Sequence, residues 1–129
     1  MAGPGTKTAQ KKVSSYRDLI AWQKAMILAR KVYDASAAFP KDEIFGLRLQ
    51  VRRAAVSVAS NIAEGHARHA TKDFIHFLRI SRGSLAELET QMLLARDFGF
   101  ITHEACSEIL AATDEEGRIL AGLIASLTE

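Results

Sequence analysis

Two groups of side chains in this sequence have the types and spacing to do chemistry: cations able to meet phosphate, and imidazoles or a thiol able to hold a metal or attack a carbon. Arg48 and Arg52 stand one helical turn apart with Arg53 adjacent, and Arg17, Lys24, Arg30 and Lys31 precede them. The planar guanidinium fork suits phosphate, and Lys7, Lys11 and Lys12, in an opening stretch without acids, add non-specific attraction. The candidate phosphate-contacting set is Lys11, Lys12, Arg17, Lys24, Arg48, Arg52, Arg53 and Arg68. For Arg52 a second reading stands beside this one, a subunit contact paired with a carboxylate such as Glu89, and the remaining cations also read as a solvated face. With no RNP-type aromatic pair, zinc-finger spacing or helix-turn-helix length, binding is expected to be led by the phosphate backbone and poor in sequence readout.

The metal and nucleophile readings are weak. A di-iron bundle needs Glu-x-x-His on two helices, whereas this chain offers only Asp73-x-x-His76. His69, Asp73 and His76 would share a face only if a helix ran back to His69, and Thr71 reads as its start; His66 and His69 are expected in a turn. Cys106, near His103 and Glu104, falls on the inner row of a helix with no basic neighbour to activate it, as a buried, inert thiol would. No Gly-rich phosphate loop, nucleophile elbow or carboxylate dyad is present, so the expectation is no catalysis, no metal and no cofactor.

The elements that carry these residues fit one domain. The chain has 129 residues, 48% of them hydrophobic and 25% charged, with a lone cysteine that excludes a disulfide scaffold. Its formal net charge of +2 conceals a gradient, for the first seventy residues carry +7, with twelve Lys or Arg against five Asp or Glu, and the last thirty carry −5, with one against six. The opening residues lack an apolar core segment and no run approaches the ~18 apolar residues of a membrane span. A soluble, cytoplasmic protein without membrane contact is expected, with a flexible basic tail over 1–13 and a bundle domain over 14–129.

Apolar residues recur at steps of three and four, the period of packed helices. The first helix is opened by Ser15, with Asp18 three residues on, and closed at Phe39-Pro40, its inner row being Leu19, Trp22, Met26, Ala29, Tyr33 and Ser36. The second starts near Asp42 with Ile44, Leu47, Val51, Ala54, Ala55, Val58 and Ile62 inside, and ends between Gly65 and His69. The third, from Thr71 to a stop at Gly99, turns Phe74, Leu78, Ser81, Leu85, Leu88, Met92 and Ala95 inward. Beside that row, Ile75, Arg82, Glu89 and Arg96 repeat at seven, a rail of the kind that sets helix pairing or subunit register. Thr102 caps the fourth, whose row is Cys106, Ile109, Thr113, Glu116, Leu120, Leu123 and Leu127. Short turns make neighbours antiparallel, which predicts an all-α, up-down-up-down four-helix bundle.

The second helix has a second apolar face. Phe45, Leu49, Val56, Ala59 and Ala63, with Arg52 among them, lie opposite its inner row. A monomeric bundle helix needs one such face, so this strip is expected to be covered by another copy of the chain; the competing reading is scattered surface apolars and helix-forming alanines.

Several segments together resemble one family: the Trp22 helix with Phe39-Pro40, Glu43-Ile-Phe-Gly-Leu47, Gln50-Val-Arg-Arg-Ala-Ala-Val-Ser57, Ser60-Asn-Ile-Ala-Glu-Gly65, Arg68, and Gly83-Ser-Leu-Ala-Glu-Leu-Glu-Thr-Gln91. They are similar, over about residues 15 to 125, to the bacterial four helix bundle proteins whose founding members are encoded in intervening sequences of 23S ribosomal RNA genes. The resemblance implies an antiparallel bundle assembled as a homopentameric ring. It also implies similarity to the accessory subunit of diversity-generating retroelements, a basic pentamer that binds nucleic acid and a reverse transcriptase. The partners it suggests are further copies of the chain, RNA or DNA, and a protein such as a reverse transcriptase or the ribosome. Family positions carry over as Arg52, Arg53, Asn61, Glu64, Gly65, Ser84, Glu87 and Glu89. Of these the arginines suit phosphate, while Ser60, Asn61, Glu64 and Gly65 read equally as the hydrogen-bonded end of the second helix or as a functional surface.

Overall fold

The computed structural model describes residues 14–128, so the tail and its Lys11 and Lys12 lie outside the described residues. Ser15 and Asp18 form a reciprocal capping box, the Arg17 N–H donating to Ser15 Oγ at 3.1 Å and the Ser15 N–H to Asp18 Oδ2 at 3.3 Å. The box opens a 3-10 turn, Tyr16–Asp18, and the first helix, α1, runs separately over Ile20–Ser36. Leu19 between them is extended (φ −76, ψ 129), so the turn is out of helical phase with α1. The inward row is one position round from the expected one over most of its length: Ala21, Ala25, Leu28 and Val32 are buried, while Leu19, Trp22, Met26 and Ala29 flank the seam and Tyr33 is 44% exposed; Ser36 alone is buried as expected. Small residues at the seam let α1 approach its neighbours closely, with the bulkier side chains closing its edges.

The second helix also starts later than its apolar pattern suggests. Phe39 is buried, Pro40 leads into a 3-10 turn over Lys41–Glu43, and α2 spans Leu47–Ala67. Glu43 sets this boundary by reaching forward, its Oε1 accepting the Leu47 N–H at 2.9 Å. Gly46 makes room for that carboxylate, since a Cβ there would lie 2.6 Å from Glu43 Oε1. Ile44, left outside the helix, is 50% exposed and not core, whereas Leu47, Val51, Ala54, Ala55, Val58 and Ile62 are buried as expected. The third helix, α3, runs Thr71–Asp97 and stops before Gly99 at φ +79; its expected row is buried except for a half-buried Phe74, with Gln91 added. Thr102 Oγ1 accepts the Ala105 N–H at 3.1 Å and caps α4, His103–Thr128. There Ile124 takes the inward place expected of Leu123 and Leu127, which are half-buried.

Contacts between helices run in opposite chain directions. Along α2 and α3, Ser57 meets Ser84, Ser81 donates to the Val58 carbonyl, and Gly65 faces Phe77. Along α3 and α4, Met92 meets Cys106, Glu89 meets Thr113, and Leu85 lies beside Gly117. Arg52 and Arg48 of α2 reach the end of α1, and Lys24 of α1 pairs with Glu115 of α4 at 3.5 Å. The fold is an antiparallel up-down-up-down four-helix bundle, closed by α1 against α4, with no strand among the described residues. At Gly65 an added Cβ would stand 2.6 Å from Phe77 Cβ, so glycine sets the spacing of α2 and α3 there.

One polar group is out of keeping with the core. Glu116 is 1% exposed, and neither carboxylate oxygen has a hydrogen-bond partner. Burial, aided by the charge of Glu115 and opposed by Lys24, pushes its carboxyl up to about 8, so at neutral pH the protonated form dominates.

Candidate nucleic-acid interface

The outer strip of α2 is apolar and uncovered by the chain's own core, and Phe45, expected on the helix, extends it from the turn that precedes Leu47. Phe45 is 85% exposed and Val56 43%, Leu49 is half-buried, and with Ile44 and Tyr33 they border an open groove of about 630 Å³ flanked by Arg48, Arg52 and Arg53. The strip is shorter than its helical wheel implies. Ala59 is 6% exposed and belongs to the core, one turn from Ala55 and beside Val58 and Ile62; α2 packs on both α1 and α3, which widens its inward stripe enough to take in this residue. Ala63 is half-buried.

Most of the cations expected at phosphate are held by the subunit itself. Arg48 Nη2 donates to the Phe39 carbonyl at 2.7 Å. Arg52 donates from Nε to Ser36 Oγ at 2.8 Å and from Nη2 to the Tyr33 carbonyl at 3.0 Å, with its guanidinium 4.4 Å from the Tyr33 ring centre. Carbonyls at a helix C-terminus lack intrahelical donors, and Arg52 supplies one at Tyr33 in the last turn of α1, while Arg48 ties down the Phe39 carbonyl in the connector beyond it. Arg52 does not reach Glu89, which accepts instead from Thr113 Oγ1 at 3.2 Å. Lys24 pairs with Glu115, and Arg68 pairs with Glu64 at 2.9 Å while lying 4.8 Å from the Phe77 ring centre. Arg17 stands over Tyr16 at 5.9 Å. Arg53 is exposed at the groove and forms no ion pair among the described residues.

Besides Lys41 in the turn before α2, the free cations outside the candidate phosphate-contacting set include three on α3. Lys72, Arg79 and Arg82 are exposed and likewise unpaired among the described residues. Their signal was the spacing of seven and then three, masked by the neighbouring heptad Ile75, Arg82, Glu89 and Arg96. The members of that rail do not bridge to one another, since Arg96 pairs with Asp97 at 3.2 Å.

The polar residues near the end of α2 are knit into helix packing. Asn61 Nδ2 donates to the Ser57 carbonyl and to Ser57 Oγ, each at 2.9 Å, and Ser57 Oγ meets Ser84 Oγ at 2.8 Å. At the α2–α3 corner, His69 has φ 60, and the His66 ring stands edge-on to Phe74 at 5.5 Å. No three His, Cys, Asp or Glu among the described residues could hold a metal ion. Cys106 is 1% exposed with its Sγ donating to the Met92 carbonyl, and burial pushes its thiol pKa up, Arg96 opposing and Asp97 assisting.

Residues 17–122 match the family described as 23S rRNA-intervening sequence protein. The chain belongs to that family. A crystal structure of a protein of unknown function from the S23 ribosomal protein family of Bacteroides thetaiotaomicron VPI-5482 superposes with a TM-score of 0.76 at 23% identity, covering 81% of this chain and 98% of the other. At that identity the likeness is one of fold. No curated protein matches the chain. Among the described residues, no helix is long and apolar enough to cross a membrane.

Proposed function

We propose that the protein is a non-enzymatic homo-oligomer, a ring of five as its family resemblance implies, that binds RNA or DNA through cations repeated on every subunit. The observation that carries this reading is the strip formed by Leu49 and Val56 of α2 with Phe45 of the preceding turn, and its groove, a surface that one folded chain leaves in water. Covering it with a second copy removes the exposed apolar area and repeats the excess of +7 in the first seventy residues around an assembly. Repetition raises the avidity of a modest charge for a polyanion.

Light scattering and filter retention of a mixed RNA and DNA pool test both halves. The wild type is expected to elute as an oligomer and to retain the pool at low salt, and Leu49→Glu with Val56→Glu to give folded monomers, because an unpaired charge cannot be buried there cheaply. A wild-type monomer at micromolar concentration, or no salt-dependent retention, would overturn it. The engagement of Lys24, Arg48, Arg52 and Arg68 within the subunit favours one competing reading, a protein-binding scaffold, for which pull-down of a partner survives nuclease.

A further inference from the structure

We infer that the outer row of α3, comprising Lys72, His76, Arg79 and Gly83, is the track on which a single-stranded nucleic-acid backbone lies. The inference rests on the nucleic-acid reading above and moves its principal phosphate contacts from α2 to α3. Steps of four, three and four place these residues on one stripe of the helix. All four are exposed, and Lys72, His76 and Arg79 have no hydrogen bond or ion pair to another side chain among the described residues. By contrast, Arg48 and Arg52 would have to release the Phe39 and Tyr33 carbonyls before meeting a phosphate. Helical rise sets the Lys72 and Arg79 backbones about 10.5 Å apart, and the His76 ring stands between them in position. Its edge-on contact with Phe77, 5.3 Å between ring centres, orients the imidazole as a platform for an unpaired base.

Gly83 is the second, independent observation. Glycine is unfavourable in a helix interior, and this one lies well within the 27 residues of α3. At Gly65 a neighbouring helix excludes a side chain, but at Gly83 nothing lies within 4 Å of where a Cβ would be. Nothing inside the subunit accounts for the missing side chain; the same holds at Gly122 on α4, and what distinguishes Gly83 is its place beside Arg79 and Arg82. A bare backbone on the outer face, one turn beyond Arg79 and flanked by Arg82, admits the close approach of an external chain. Of the acids on this part of α3, Asp73 is half-buried and Glu87 is exposed one turn past Gly83, where its charge ends the track.

Fluorescence anisotropy with a labelled single-stranded oligonucleotide, across a salt series, tests the track on the full-length protein. The double variant Lys72→Gln with Arg79→Gln is expected to keep its oligomeric mass, lose about tenfold in affinity at low salt, and lower the slope of log affinity against log salt by about 1.4, the loss of two single-strand phosphate contacts. Gly83→Gln is expected to weaken binding while raising the melting temperature, opposite signs that a purely structural glycine would not give. Arg118→Gln, on the acidic α4, leaves affinity unchanged. If the wild type binds and the double variant keeps its slope, the track is wrong and the nucleic-acid reading stands. If the wild type does not bind, both fall. Competition by polyglutamate as effective as by oligonucleotide at equal charge would also overturn the track, assigning the row to an acidic polypeptide.

Discussion

Glu116 makes the bundle's stability depend on pH in an unusual direction. Its carboxyl is raised from an ordinary value of 4.5 to about 8 by burial first and the Glu115 charge second; Lys24, which opposes the rise, is itself paired with Glu115. Below pH 4.5 the group is protonated both folded and unfolded and contributes no pH dependence. Between 4.5 and about 8 the folded chain holds a proton that the unfolded chain has released, so stability falls as pH rises through this window and levels off above it. Each tenfold change in proton affinity is worth about 1.4 kcal/mol, which sets a ceiling of about 5 kcal/mol on the whole effect. Urea unfolding at pH 5 and pH 8.5 reads it directly. The wild type is expected to lose stability at the higher pH, and Glu116→Gln to lose markedly less, because the amide does not titrate. Glu116→Met, which removes the unpartnered oxygens and keeps the volume, is expected to gain about 1 to 3 kcal/mol at neutral pH. Parallel pH dependences for wild type and Glu116→Gln would refute the reasoning, whatever their common slope.

Three further outcomes follow from particular contacts. Gly65→Ala is expected to destabilise by about 1 to 3 kcal/mol in thermal or urea unfolding, because the new methyl meets Phe77 Cβ, which cannot swing aside. Arg52→Ala removes donors from the Tyr33 carbonyl and the buried Ser36 hydroxyl and is expected to cost about 1.5 to 3 kcal/mol, with amide exchange quickening in the last turn of α1. Glu43→Ala frees the Leu47 N–H and is expected to cost about 1 kcal/mol, seen as a lower urea midpoint and fraying at the start of α2.

The bundle was legible because its inner rows on α2, α3 and α4 are long enough for the period to be unambiguous, and residues such as Thr102 and Gly99 punctuate them where caps and stops are needed. Residues 15–20 misled for a local reason. The Ser15 and Asp18 capping box is present, but it closes a three-residue turn, and the extended Leu19 separates it from α1, where the inward positions expected at Trp22, Met26, Ala29 and Tyr33 each fall one residue earlier while Ser36 is buried as expected. Ile44 slipped for a related reason, as Glu43 caps Leu47 from outside the helix while the apolar pattern runs on through the turn.

The charged residues were harder to read than the apolar ones because the partner that decides an arginine's role is often a backbone carbonyl, which every residue has and no pattern marks. Arg48 and Arg52 have the spacing of a phosphate clamp, and that same spacing lets two successive turns of α2 reach the open end of α1. Glu89 looked like the counter-ion because it was the acid within a plausible register, yet Thr113 takes it across the α3–α4 seam. What separates a free cation from an engaged one is therefore whether a carbonyl or a carboxylate lies within its reach in the fold. Arg53, one residue along from Arg52, faces the groove and finds no such carbonyl, and Lys72 and Arg79 lie on the outward stripe of α3 without a hydrogen bond or ion pair among the described residues. Cations kept free of internal partners on a helix's outer face gain nothing for the fold from their charge, so it is these, and not the most conspicuous cluster in the sequence, that are placed to meet an external anion.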